Sequence, residues 1–250
     1  IGSFLHYHFH SWRLHFWIMM TYSLILLVYN YIVCPSFPSQ IKKQDSFFKT
    51  SIKNIISVLG HKRYCYNAFV FSGMMFVFIG YISTSAVLFK KVWTLPSDQF
   101  GWIQLCLGAC WMLGSAINVY IVRKTRPSKL VLLGALQTLI AFILMAVAFS
   151  IWGNVYWTFV LPATLIYLSI TLVFSNAFVQ CMEPFEHNTG MASALTQFFQ
   201  FFAGFFAGFL VGWLPEPDPS NFIILGLVVS SLMFYAAIRS DLMQRELASV

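Results

Sequence analysis

Apolar residues along this 250-residue chain come in seven long runs, at about 14–33, 67–89, 100–122, 130–150, 155–178, 190–213 and 222–238. A hydrocarbon core about 30 Å thick is crossed by about 20 helical residues. Backbone in lipid must satisfy its own hydrogen bonds, so each run predicts a membrane-spanning helix. Strands of a membrane barrel are not expected, because they alternate with period 2 over about 10 residues. Breaks separate the runs: Pro35 and Pro38, the Leu95-Pro96-Ser97-Asp98 stretch, Arg126-Pro127, the turn 151–154, Asn188-Thr189-Gly190, and Pro215, Pro217 and Pro219. Residues 34–66 form the longest polar stretch. Within it, Phe47, Phe48, Ile52, Ile55, Ile56 and Leu59 recur at near-helical spacing beside Lys49 and Lys53, which predicts a basic amphipathic helix on the membrane surface.

Composition agrees with a lipid-solvated chain. Hydrophobic residues make up 59% and charged residues 9%, against about 25% charged in soluble domains. The net charge of +7 raises the question of nucleic acid, but the cations sit in loops and not on one continuous face. Of the 15 Lys and Arg, all but Arg13, Lys90 and Lys91 lie in the 34–66 linker, the 123–129 loop and the tail. Those segments fall on one side if every run crosses the membrane. The positive-inside rule then makes that side cytoplasmic and predicts a multi-pass protein of the inner (plasma) membrane with no nucleic-acid partner. The five cysteines are scattered and odd in number, which argues against a disulfide framework. The chain opens at Ile1 with no signal-peptide pattern, and an N-terminal portion is expected to be missing.

Three stretches carry a family resemblance. Ile1-Gly2-Ser3-Phe4-Leu5, followed by Trp12-Arg13 and Phe16-Trp17, is similar to a Gly-rich antiporter motif and the Trp-Arg pair after it. Arg123-Lys124-Thr125-Arg126-Pro127 resembles a basic loop between helices 8 and 9. Ser175-Asn176-Ala177, Glu183-Pro184-Phe185 and Gly190–Leu195 resemble the hairpin of helices 10 and 11. The whole resembles the C-terminal half of a major facilitator superfamily transporter, and within that superfamily the Bcr/CflA drug–proton antiporter group. Two positions depart from that group: Ala86 and Ser175 stand where many relatives have Pro. The resemblance implies an all-α membrane fold. The end of helix 5 and helix 6 would occupy 1–33, a cytoplasmic linker 34–66, a six-helix bundle 67–238 and a cytoplasmic tail 239–250. The partners it implies are the missing N-terminal half, a small-molecule substrate, the lipid bilayer and a proton as coupling ion.

Ionisable groups inside a membrane usually mark function, and the centres of the last six runs hold none. No catalytic pair or metal-ligand cluster lies within the apolar spans, so neither an enzyme nor a cofactor is expected. Cys106 and Cys110 read as packing residues. The histidines near Arg13, His6 and His10 among them, have metal spacing but no accompanying carboxylate. A proton-carrying carboxylate would belong to the missing half. The mid-span polar groups are Gln104, Asn118, Gln137, Thr171, Asn176, Gln197 and Gln200. The plainer account is that each bonds a neighbouring helix. In the implied fold helices 7, 8, 10 and 11 line a central cavity. That selects Tyr81, Gln104, Trp111, Tyr167, Thr171, Gln197 and Phe201 as cavity candidates and sets Gln137 aside. Aromatics and amides without fixed charge suit lipophilic or weakly polar ligands. The small-residue stripe Gly204, Gly208 and Gly212 reads as packing within the bundle. On the basic side, Glu183 is either a helix-dipole partner or a gate residue pairing with Arg123 or Arg126. The functional expectation is proton-coupled efflux of small organic compounds. The alternatives are transport of a specific metabolite or siderophore, and a non-transporting membrane sensor or assembly protein.

Overall fold

The computed structural model describes residues 13–33, 47–185, 188–213 and 218–248. The Ile1–Leu5 motif, His6, His8, His10, Cys34, Lys42, Lys43 and Glu186 lie outside them. The described chain is helical throughout: α1 (Arg13–Val33), α2 (Phe47–Leu59), α3 (Lys62–Lys91), α4 (Ser97–Ile121), α5 (Pro127–Trp152), α6 (Tyr156–Met182), α7 (Thr189–Trp213) and α8 (Pro219–Ala248). All except α2 are long and apolar enough to cross a membrane, seven spans in number. The seven apolar runs and the amphipathic segment are therefore each a helix.

Helix ends follow local chemistry. Pro127 is at the N-terminus of α5, where its missing N–H forfeits nothing. Gly153, with φ of 71°, ends α5 in a left-handed conformation that a side chain would disfavour. Asp218 opens α8 by accepting from the Ser220 backbone N–H at 3.0 Å and from its hydroxyl at 2.6 Å. Two helices overrun the expected bounds. α3 begins at Lys62, so its first residues, 62–66, fall within the stretch expected as linker. α8 runs through the expected tail to Ala248, and Asp241 and Arg245 pair one turn apart within it at 2.6 Å.

α3 to α8 pack as a bundle in which α5 lies against α6 and α8, and α3 against α6, α7 and α8. Its core gathers Val70, Met74, Phe142, Met145, Ile166 and Ile170. Small residues set the closest approaches. A side chain at Gly114 would strike the Leu168 carbonyl, which holds α4 tight on α6, and one at Gly226 would strike the Phe142 ring between α8 and α5. Gly204 faces Met75 and Ile79 of α3 at 3.4 Å, so the glycine stripe of α7 packs within the bundle at that point, while Gly212 meets nothing. α2 seats Val58 against Tyr64, Cys181 and Ala192. α1 stands off the bundle, with every side chain from Phe16 to Val33 exposed.

Candidate functional site

Three of the cavity candidates meet in one cluster on α3, α4 and α6, and a fourth touches it. The Tyr167 hydroxyl donates to Gln104 Oε1 at 3.2 Å, and Gln104 Nε2 donates to Ser85 Oγ at 3.3 Å. Tyr81 meets Tyr167 edge-on at 5.7 Å and stacks on Phe159 at 5.0 Å. Phe78 bridges outward, with Trp111 at 5.3 Å and Tyr167 at 5.7 Å. The result is a wall of aromatic rings with one amide at its centre. Edge-to-face geometry of this kind holds rings in place.

Exposure sorts these residues further. Tyr81, Tyr167 and Thr171 are buried, and the hydroxyls of Tyr81 and Thr171 have no hydrogen-bond partner among the described residues. Gln104 is half-buried, and Trp111, Gln197 and Phe201 are exposed. Gln197 and Phe201 lie on α7, and no hydrogen bond or ring contact joins them to the cluster among the described residues. Trp111 and the Gln104 amide thus form the accessible part of the cluster. Tyr167 stands behind Gln104 and holds its amide, while Phe78 backs Trp111.

Asn118, Asn176 and Gln137 bond neighbouring helices. Asn176 Nδ2 donates to Asn118 Oδ1 at 2.8 Å, joining α6 to α4, and Gln137 Nε2 donates to the Leu165 carbonyl at 3.3 Å, joining α5 to α6. An isolated sequence does not disclose such pairings, because Asn118 and Asn176 are 58 residues apart.

The polar residues missed from sequence lie at the two ends of the bundle. At the end carrying the basic loops, Arg63 Nη2 of α3 pairs with Glu183 Oε2 after α6 at 2.7 Å. This differs from the expected pairing of Glu183 with Arg123 or Arg126, both of which are exposed. The cause is the extra first turn of α3, which brings a buried guanidinium against the end of α6. Around it the Tyr64 hydroxyl contacts Thr196 Oγ1 at 3.0 Å and donates to the Ala192 carbonyl at 3.2 Å on α7. Phe185 meets the rings of His61 and Tyr64 at 5.5 and 5.6 Å. At the same end, the Ser128 hydroxyl of α5 donates to the buried Asp241 of α8 at 2.6 Å, and the Ser240 hydroxyl donates to Asn67 Oδ1 at 3.0 Å. At the opposite end, Trp93 Nε1 donates to Asn154 Oδ1 at 2.9 Å. The neighbouring Thr94 holds φ of 47°, an uncommon conformation for a β-branched residue. Starts and ends of successive helices thus alternate between the two ends, as the charge pattern requires. Among the described residues no group of three His, Cys, Asp or Glu is placed to hold a metal ion.

No curated protein and no solved structure matches the chain. The family model of the Major Facilitator Superfamily matches residues 1–208. Seven helices of membrane-spanning length, the packed α3–α8 bundle and that match together place the chain in the Major Facilitator Superfamily, as a multi-pass membrane protein of an all-α secondary transporter fold.

Proposed function

We propose that this chain is the C-terminal half of a proton-coupled antiporter that exports small, weakly polar organic compounds from the cytoplasm across the inner membrane. The supporting observation is the face formed by Trp111 and Gln104 over the Tyr167–Tyr81 ring cluster. It offers rings and one amide, and no ionised side chain lies in it. A surface of that kind holds lipophilic molecules by area and orients them by a single hydrogen bond. Thr171 lies one turn from Tyr167 on α6, and Gln197 and Phe201 are exposed on α7, apart from the cluster. The opposing wall and the proton-carrying carboxylate belong to an N-terminal half, of which α1 is the last helix. Exposed α1, α4 and α7 side chains are the surfaces such a half would cover. Arg123 and Arg126 stay exposed on the cytoplasmic side, available to the facing half, while Glu183 is held by Arg63.

The test is accumulation of a fluorescent lipophilic dye in cells expressing the full-length transporter. Expression is expected to lower accumulation, and a protonophore to restore it. Gln104→Ala and Trp111→Ala should each raise the half-saturating dye concentration several-fold at unchanged surface expression. Removing one partner of a bound polar contact costs about 1–3 kcal/mol. Unchanged dye levels with and without expression would overturn the export reading, and insensitivity to the protonophore would overturn proton coupling.

A further inference from the structure

A groove of about 380 Å³ opens where the end of α2, the start of α3 and the end of α8 converge, lined by Leu59, Lys62, Cys65, Tyr66, Arg239 and Met243. It lies away from the aromatic cluster, at the end of the bundle that carries the basic loops. Its lining is of two kinds. Leu59 and Met243 are apolar, while Lys62 and Arg239 bring two cations. Lys62 and Arg239 make no salt bridge among the described residues. Arg239 and the Tyr66 phenol line the groove together, and Glu246 is the carboxylate whose charge acts on the Arg239 guanidinium. Two cations against one acid leave the mouth positive.

An apolar track leads from this mouth toward the middle of the bundle. On α3, Lys62, Cys65 and Phe69 follow at helical spacing, and Phe69 is exposed. On α8, Tyr235, Leu232 and Val228 continue from Arg239 along the same face and are all exposed. α3 and α8 pack side by side, so the two rows flank one seam. A cationic mouth at the interface, a phenol beside it and an apolar seam below match one molecule: a membrane phospholipid, with its phosphate between Lys62 and Arg239 and an acyl chain along Phe69, Tyr235 and Leu232. Basic recesses between helices at the membrane surface bind lipid head groups for this reason.

We infer that this groove is a binding site for an anionic phospholipid of the adjacent leaflet. The experiment reconstitutes the full-length protein with phosphatidylglycerol and phosphatidylcholine and reads the retained lipid by native mass spectrometry. Phosphatidylglycerol is expected to be retained in preference. Lys62→Ser and Arg239→Ser should each weaken retention about fivefold, and the double variant should abolish the preference. Lys124→Ser with Lys129→Ser removes the same charge from the exposed turn before α5 and its first residues and should leave retention unchanged. Lys62→Arg with Arg239→Lys should keep it, which separates loss of the site from loss of fold. Equal loss in the loop variant would mean general surface attraction, and no loss in the groove variants would mean that the lipid sits elsewhere. Displacement of the lipid by inorganic phosphate at millimolar concentration would mean a free-anion site. Each of these three results overturns the proposal.

Discussion

Glu183 shows how much hangs on one residue of context. Its carboxylate is about half exposed while its partner Arg63 is buried, and Arg63 Nε has no partner among the described residues. The pair therefore cannot be rated as a fully buried one, and its solvent-facing side is screened. A double-mutant cycle of Arg63→Gln and Glu183→Gln, read from thermal unfolding in detergent, is expected to give a coupling of about 1 kcal/mol. The same cycle with Arg123→Gln or Arg126→Gln in place of Arg63→Gln is expected to give no coupling beyond about 0.3–0.5 kcal/mol. Coupling to the loop arginines instead would show that the pairing changes in the assembled transporter. Composition alone pointed to the loop, because Arg123 and Arg126 form the densest basic run, whereas Arg63 read as one linker cation among six.

At the scale of the helices, glycines give a sharp contrast within α4. A side chain at Gly108 would meet nothing within 4 Å, while one at Gly114 would meet the Leu168 backbone. Gly108→Ala is therefore expected to stabilise the protein by about 1 kcal/mol, through helix propensity alone. Gly114→Ala should destabilise it by about 1–3 kcal/mol, because a backbone carbonyl cannot rotate aside as a side chain can. Unfolding midpoints of the two variants measured side by side check this, and equal shifts would refute the contact. The helices themselves were legible in the sequence, since run length and proline placement follow directly from what lipid demands of a backbone. Which face of each helix meets which neighbour was not, since runs such as 130–150 are apolar all round and carry no periodic signal. For the same reason Gln104 and Tyr167 could be named singly, but their mutual hydrogen bond, and the role of Ser85, could not.

For the whole molecule the consequence concerns sidedness and self-sufficiency. The positive-inside rule predicts that α2 is cytoplasmic, so a cysteine at exposed Ser57 should react with an impermeant maleimide in inverted vesicles and stay unlabelled in intact cells, once the native cysteines are replaced. Labelling from outside would reverse the orientation. The bundle is also tied at both ends of the same pair of helices: Arg63 to Glu183 at one end, and Trp93 to the Asn154 turn at the other. Between these ties α3 and α6 share a continuous core. Mechanically, the two form a strut pinned at its ends, and bending either one alone would break a tie. Compliance then falls to α4 and α7, the least buried of the six bundle helices. If turnover tilts this half, α3 and α6 carry the tilt as a lever while α4 and α7 flex, and the Trp111 face moves with α4.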